Sequence, residues 1–132
     1  MRALVETADG LFEVDLDEEE VIHFDPDGSL PRLEKLELPL PAVVAADACG
    51  STVIAVVERR PPLVVSYDAG TTWTETGGGL PTGFAVAIAP TDPDLVVFAA
   101  RNRLYLSRDG GRFWASLAPE LPEIQAVAVT EA

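Results

Sequence analysis

Histidine, methionine and cysteine occur once each in this chain, and nine Lys plus Arg stand against 22 Asp plus Glu. Each shortage closes off a class of chemistry. With His23 as the only imidazole, a histidine-based triad or a His-ligated zinc site lacks its parts, so no metal is expected. The lone Cys49 cannot form an internal disulfide and reads as a small buried residue in a reducing compartment. A net charge of −13 argues against gripping a phosphate backbone, so no nucleic-acid partner is expected. Long hydrophobic runs are absent too. Stretches such as "STVIAVV", "FAVAIA" and "DLVVFAA" fall far short of the roughly 20 apolar residues that span a bilayer. The N-terminal "MRALVETADG" has no apolar core of a signal peptide, which points to a cytoplasmic protein without a membrane partner.

What is present is apolar and repetitive. Hydrophobic residues make up 48% of 132 residues, enough for one domain with a real core despite the acidity. The acids are unevenly placed: 13 of the 22 fall in residues 1–47, which hold only Arg2, Arg32 and Lys35 as bases. The first third is therefore chemically distinct from the near-neutral remainder.

The stretch "SYDAGTTW" (Ser66–Trp73) returns 41 positions later as "SRDGGRFW" (Ser107–Trp114). The match extends outward: Leu63 aligns with Leu104, and Leu80-Pro81 with Leu121-Pro122. A third "LP" stands at Leu38-Pro39. "VETADGLFEVD" aligns with "FAARNRLYLSRD", so a first repeat exists, with "VDLDEEEV" in place of the motif. Within the repeats, short runs rich in Val, Ile, Leu, Phe and Tyr alternate with turn residues, which predicts strands. They fall near 2–7, 10–16 and 20–25 in the first repeat, then 42–47, 52–58, 62–67 and 72–76 in the second. The third repeat predicts strands near 84–89, 94–100, 103–108 and 113–117, followed by a last strand at 124–130. The only segment with a trace of helical period, "LPRLEKLEL" at 30–38, is bracketed by prolines. The expected fold is all-β, with three four-stranded antiparallel units: 2–38 plus 124–130, 42–80 and 83–121.

Ser-x-Asp-x-Gly-x-x-Trp resembles the Asp-box, or BNR repeat, of sialidase-like and sortilin-like β-propellers. The resemblance implies that the units are blades, that the motif lies between the third and fourth strands of a blade, and that a C-terminal strand completes the first blade. Turn chemistry explains the residues. Asp68 and Asp109 can accept hydrogen bonds from the amides that follow. Gly70 and Gly111 supply positive φ, Ser66 and Ser107 close the other end of the hairpin, and Trp73 and Trp114 bury large surfaces between sheets. These eight residues are expected to be structural fasteners. Three blades are too few for the usual ring of 4–8. A homodimer with six blades is therefore expected, each C-terminal strand finishing the partner's first blade and each seam joining the third repeat of one chain to the first of the other.

Candidate binding residues come from loop placement. The turns between second and third strands carry Arg59, Arg60, Arg101 and Arg103 on one rim, where arginines can bind carboxylate or phosphate. The simpler reading is that they solvate hairpin tips. Tyr67 and Tyr105 fall in or beside third strands, and no arginine motif of the sialidases precedes the boxes, so catalytic residues are not expected. "FDPDGS" (Phe24–Ser29) is turn chemistry with a secondary resemblance to a calcium loop through Asp25 and Asp27. "DEEE" at 17–20 reads as a solvated hairpin tip, and "TGGGLPTG" at 76–83 as a flexible connection without the Lys or helix of a phosphate loop. No cofactor is implied. The expected function is a non-catalytic binding or assembly scaffold, with an anionic ligand or partner at the arginine-bearing face; the alternative is a carbohydrate-active (glycosidase-like) or glycan-binding propeller.

Overall fold

The computed structural model describes residues 1–31 and 36–131, and every regular element among them is a strand. The strands are β1 (Arg2–Thr7), β2 (Gly10–Asp15), β3 (Glu20–Asp25), β4 (Val43–Cys49), β5 (Thr52–Val57) and β6 (Leu63–Ser66). They continue as β7 (Thr74–Thr76), β8 (Ala85–Ala89), β9 (Asp92–Ala99), β10 (Arg103–Ser107), β11 (Ala115–Glu120) and β12 (Ile124–Thr130). They form three four-stranded antiparallel sheets: sheet I in the order β12-β1-β2-β3, sheet II β4-β5-β6-β7, and sheet III β11-β10-β9-β8. The three four-stranded units expected from the repeats are thus present. Residues 32–35, inside "LPRLEKLEL" and the expected first unit, lie outside the described residues.

The outer strands begin later than the sequence pattern suggests: β7 at Thr74 rather than 72, β11 at Ala115 rather than 113. The reason is local. The carboxylates of Asp68 and Asp109 hold the amides of Thr72 and Phe113 in the preceding turns, so neither residue is free to join the ladder.

Apolar patterning decides how the sheets stack. In β8 and β9, residues of one parity face sheet I and residues of the other face sheet II. Ala85, Ala87, Ala89, Val97 and Ala99 share a core with Ala3, Val5 and Val14, whereas Val86, Ile88, Val96 and Phe98 share one with Ile54, Val56, Leu63 and Val65. Sheet III therefore lies between sheets II and I. A strand buried on both faces needs a continuous apolar run, and "AVAIA" in β8 meets that need. β1 is covered by a sheet on one side only and alternates buried with half-buried positions. β5 is buried throughout although sheet II ends the stack, because Leu38, Leu40 and Trp73 pack over its second face.

β12 differs from the sequence expectation in one respect. The blade count places it in a partner's first blade; in the structure it pairs with β1 of its own chain, with Arg2 opposite Thr130, Ala3 opposite Val129 and Val5 opposite Val127. The three residues between β11 and β12 leave little freedom, and two backbone bonds hold β12 in place: Ile124 N–H to Arg101 O at 2.8 Å and Ala8 N–H to Glu123 O at 2.9 Å. The chain's own β1 is tethered within reach and offers a complementary row of small apolar residues. The seam between the third and first repeats consequently lies inside one chain.

Two outcomes follow for stability. Removing residues 123–132 strips β1 of one of its two partners and uncovers Ala3 and Val5; circular dichroism of the truncated chain should show loss of the cooperative β transition. Phe98, fully buried, stands edge-on to Trp114 at 6.1 Å and near Tyr105 at 5.9 Å. Phe98→Ala should cost about 3–5 kcal/mol in urea unfolding.

Candidate functional site

The two Ser-x-Asp-x-Gly-x-x-Trp turns have nearly the same hydrogen-bond wiring. In the first, Ser66 Oγ donates to Asp68 Oδ1 at 2.7 Å and accepts from Gly70 N–H at 2.8 Å. Asp68 Oδ1 also accepts from Thr72 N–H at 2.8 Å, and its Oδ2 from Thr72 Oγ1 at 2.6 Å. In the second, Ser107 Oγ donates to Asp109 Oδ1 at 2.8 Å and accepts from Gly111 N–H at 2.8 Å. Asp109 Oδ1 accepts from Arg112 N–H at 3.1 Å and Phe113 N–H at 2.9 Å. Gly70 and Gly111 sit at φ of 90° and 94°, which a side chain resists. Trp73 and Trp114 fold back over these glycines, and Trp114 Nε1 donates to Gly111 O at 2.9 Å. Their apolar roles differ: Trp114 packs into the core between sheets II and III, while Trp73 covers the second face of sheet II.

This wiring sets the charge state of the turns. The Thr72 hydroxyl and amide, then Ser66, hold the Asp68 carboxyl down at about 2. Phe113 N–H and Ser107 hold Asp109 below the ordinary carboxyl range. The first repeat, which lacks the motif, meets the same need differently: Asp15 Oδ1 accepts from Asp17 N–H and Glu18 N–H, both at 2.9 Å, and its carboxyl is lowered by those amides. All three shifts keep the acids ionised. A general acid needs the opposite shift.

The turns also touch one another, which the motif spacing does not reveal. Tyr67 Oη donates to Gly110 O at 2.8 Å, Thr76 Oγ1 donates to Gly111 O, and the Arg112 guanidinium lies 4.4 Å above the Tyr67 ring. Partial burial pushes the Tyr67 hydroxyl pKa up. On the other side, Arg108 pairs with Asp17 at 3.1 Å, and Ala118 N–H donates to Glu19 Oε1 at 3.1 Å. "DEEE" at 17–20 is thus partly engaged with sheet III. The signals were the residues at the x positions, Tyr67, Arg108 and Arg112, whose partners lie in other repeats.

Arg59 and Arg60 lie in the β5–β6 turn, Arg101 in the equivalent β9–β10 turn and Arg103 at the start of β10, in unlike states. Arg103 donates to Leu117 O at 3.1 Å and Glu120 Oε1 at 2.9 Å, and Arg101 lies 3.7 Å from Glu123. Arg59 and Arg60 are exposed and make no ion pair among the described residues. Two open clefts lie elsewhere, flanking Phe113 and Trp114. One, of about 380 Å³, is bounded by Gly77–Leu80, Tyr105 and Arg112. The other, of about 400 Å³, is bounded by Leu16, Asp17, Glu19, Arg108 and Asp109. Phe113 itself is 79% exposed. The 76–83 connection is a built turn: Leu80 N–H donates to Gly77 O, and Leu80 is buried beside Leu63. Asp25 Oδ1 accepts from Asp27 N–H at 3.0 Å, so "FDPDGS" caps its own turn. Among the described residues no group of three His, Cys, Asp or Glu could hold a metal ion, and no helix is long and apolar enough to cross a membrane.

Because Ser107 is fully buried and serves both as donor and acceptor, Ser107→Ala should cost about 1–3 kcal/mol in chemical unfolding. Acid should act through Asp68. Its folded value lies below the ordinary 3.8, so its contribution is complete above pH about 4 and is lost as pH falls through about 2. Asp68→Asn should therefore unfold more readily than the parent near neutrality, with the gap in midpoint closing in titrations towards pH 2. Compared with known proteins, the chain matches no family model and no curated protein.

Proposed function

We propose that the chain is a non-catalytic Asp-box β-propeller segment, two copies of which form a six-bladed ring that works as a binding or assembly scaffold. The observation that carries this reading is the internal satisfaction of the two repeated turns. Every carboxylate they contain is spent on backbone amides and hydroxyls and held ionised, as a fastener requires and a general acid does not.

The ring follows from the repeat. Each "LP" leucine precedes the first strand of a sheet. Leu80 packs between sheets II and III and Leu121 between sheets III and I. Leu38 packs on the second face of sheet II, where no sheet stands opposite. The repeat thus has a place for one more sheet there, and sheet I of a second copy has a face free to take it. The seam then joins sheet I of one copy to sheet II of the other, a revision of the III-to-I seam that the sequence suggests. In this ring Arg59 and Arg60 are the arginines left for an anionic ligand, because Arg101 and Arg103 face Glu123 and Glu120. A glycan-binding propeller is the second reading, favoured by one observation: exposed Phe113 stands beside Trp114 between two clefts, and aromatic faces suit sugar rings.

Light scattering should give about twice the 14.0 kDa chain mass, and a monomeric mass would overturn the ring. Aryl glycosides should not turn over, whereas hydrolysis abolished by a carboxylate variant would overturn the non-catalytic reading. Sulfate should raise the melting temperature of the parent and leave Arg59→Ala/Arg60→Ala unchanged.

A further inference from the structure

The outer edges of the three sheets are unlike. β7 is three residues of Thr and Glu, too short and polar to recruit another strand. β11 carries Pro119, which has no amide to offer. β3 has neither protection. It is six residues long, free of proline, exposed throughout, and nothing pairs with its outer edge among the described residues. Its side chains are also out of character for an open edge: Val21, Ile22 and Phe24 are 40%, 40% and 42% exposed. Natural edge strands are blunted with charge or proline; in β3 the acids Glu20 and Asp25 stand at the two ends, and Val21, Ile22 and Phe24 lie open between them.

Charge decides what could pair there. Asp17, Glu18, Glu19 and Glu20 stand at one end of β3 and Asp25 and Asp27 at the other, and no Lys or Arg lies between Arg2 and Arg32. Asp17 and Glu19 are engaged with sheet III, which leaves Glu18, Glu20, Asp25 and Asp27 around the strand ends. A second copy in antiparallel register would set Glu20 near Asp25 at both ends of the new pair, like against like. A strand with basic ends and an apolar middle would meet attraction at both ends, with Ile22 and the open flanks of Val21 and Phe24 beneath its centre.

We propose that the outer edge of β3 is a docking site for an extended segment of another protein, apolar in the middle and rich in Lys or Arg at its ends, which adds to sheet I as a fifth strand. Backbone hydrogen bonds supply affinity, the acidic flanks supply selection and steering, and sheet I gains cover for its exposed apolar side chains. The site gives the scaffold reading a partner chemistry, yet it needs only sheet I, so a monomeric mass would sink the ring and leave the edge untouched.

The probe is a short fluorescent peptide of alternating Val and Thr flanked by lysines, titrated into the full chain by anisotropy. A Glu-flanked version should bind at least about tenfold more weakly, and added salt should weaken the Lys-flanked one. Methylating alternate backbone amides of the peptide, on the edge that faces β3, should abolish binding without any change to the protein. Amide exchange should slow in residues 20–25 on binding. Ile22→Lys, at an exposed position, should weaken the basic peptide about tenfold, and a variant that fails to fold leaves the methylated peptide as the deciding arm. No saturable binding, equal binding of the methylated peptide, or protection confined to other strands would overturn the proposal. So would growth of the unliganded protein into larger assemblies that Ile22→Lys prevents, since a second copy would then own the edge.

Discussion

The pairing of β12 with β1 is the constraint on which the rest of the structure depends. It places the beginning and end of the described chain in one sheet and obliges sheet III, which directly precedes β12, to stand beside sheet I. Sheet III then has both faces covered at its inner strands, which are apolar where they are enclosed, as β8 and the second half of β9 are. Without that pairing, Ala3, Val5 and Val14 would have no sheet to meet. The small residues of β8 matter for the same reason: Ala85, Ala87 and Ala89 let the inner strands of neighbouring sheets approach closely. Asp47 of β4 bridges the other seam, accepting the Ile88 amide at 2.8 Å.

The repeated turns solve a different problem. Each reverses the chain between the third and outermost strands of a sheet, and does so by closing local polar groups on themselves. Serine, aspartate and glycine are small enough to fit the loop, and tryptophan returns an apolar lid to it. The electrostatic consequence is an ionised carboxylate, with Oδ1 of Asp68 and of Asp109 each accepting from the serine hydroxyl and from backbone amides of the turn. Asp68 and Asp109, held below the ordinary carboxyl range, are poorly suited to giving up a proton as general acids.

Much of this was legible in the amino-acid order because it is written in short-range signals. Strands β1, β3 and β12 fall where alternation and turn residues place them, and the motif residues make the bonds that their chemistry suggests. What was not legible depends on pairing between distant residues. A strand that completes a first unit looks the same whether it serves its own chain or a partner, since the apolar pattern of β12 says only what it pairs with. The arginines illustrate the same limit: Arg101 and Arg103 were indistinguishable from Arg59 and Arg60 until Glu123 and Glu120 were found beside them. The clefts beside Phe113 were missed because their walls come from separate repeats.

The contact of Tyr67 with Gly110 and Arg112 has a consequence for how such repeats diverge. Both side chains occupy positions that the motif leaves open, yet each is matched to the other across the sheet boundary. The tyrosine here meets a backbone carbonyl and a planar cation in the following repeat, so the apparently free letters form a dialogue between successive units. Repeats joined in this way are not interchangeable modules. Shuffling their order would preserve every fastener and still break the conversation, which ties the history of each unit to that of its neighbour.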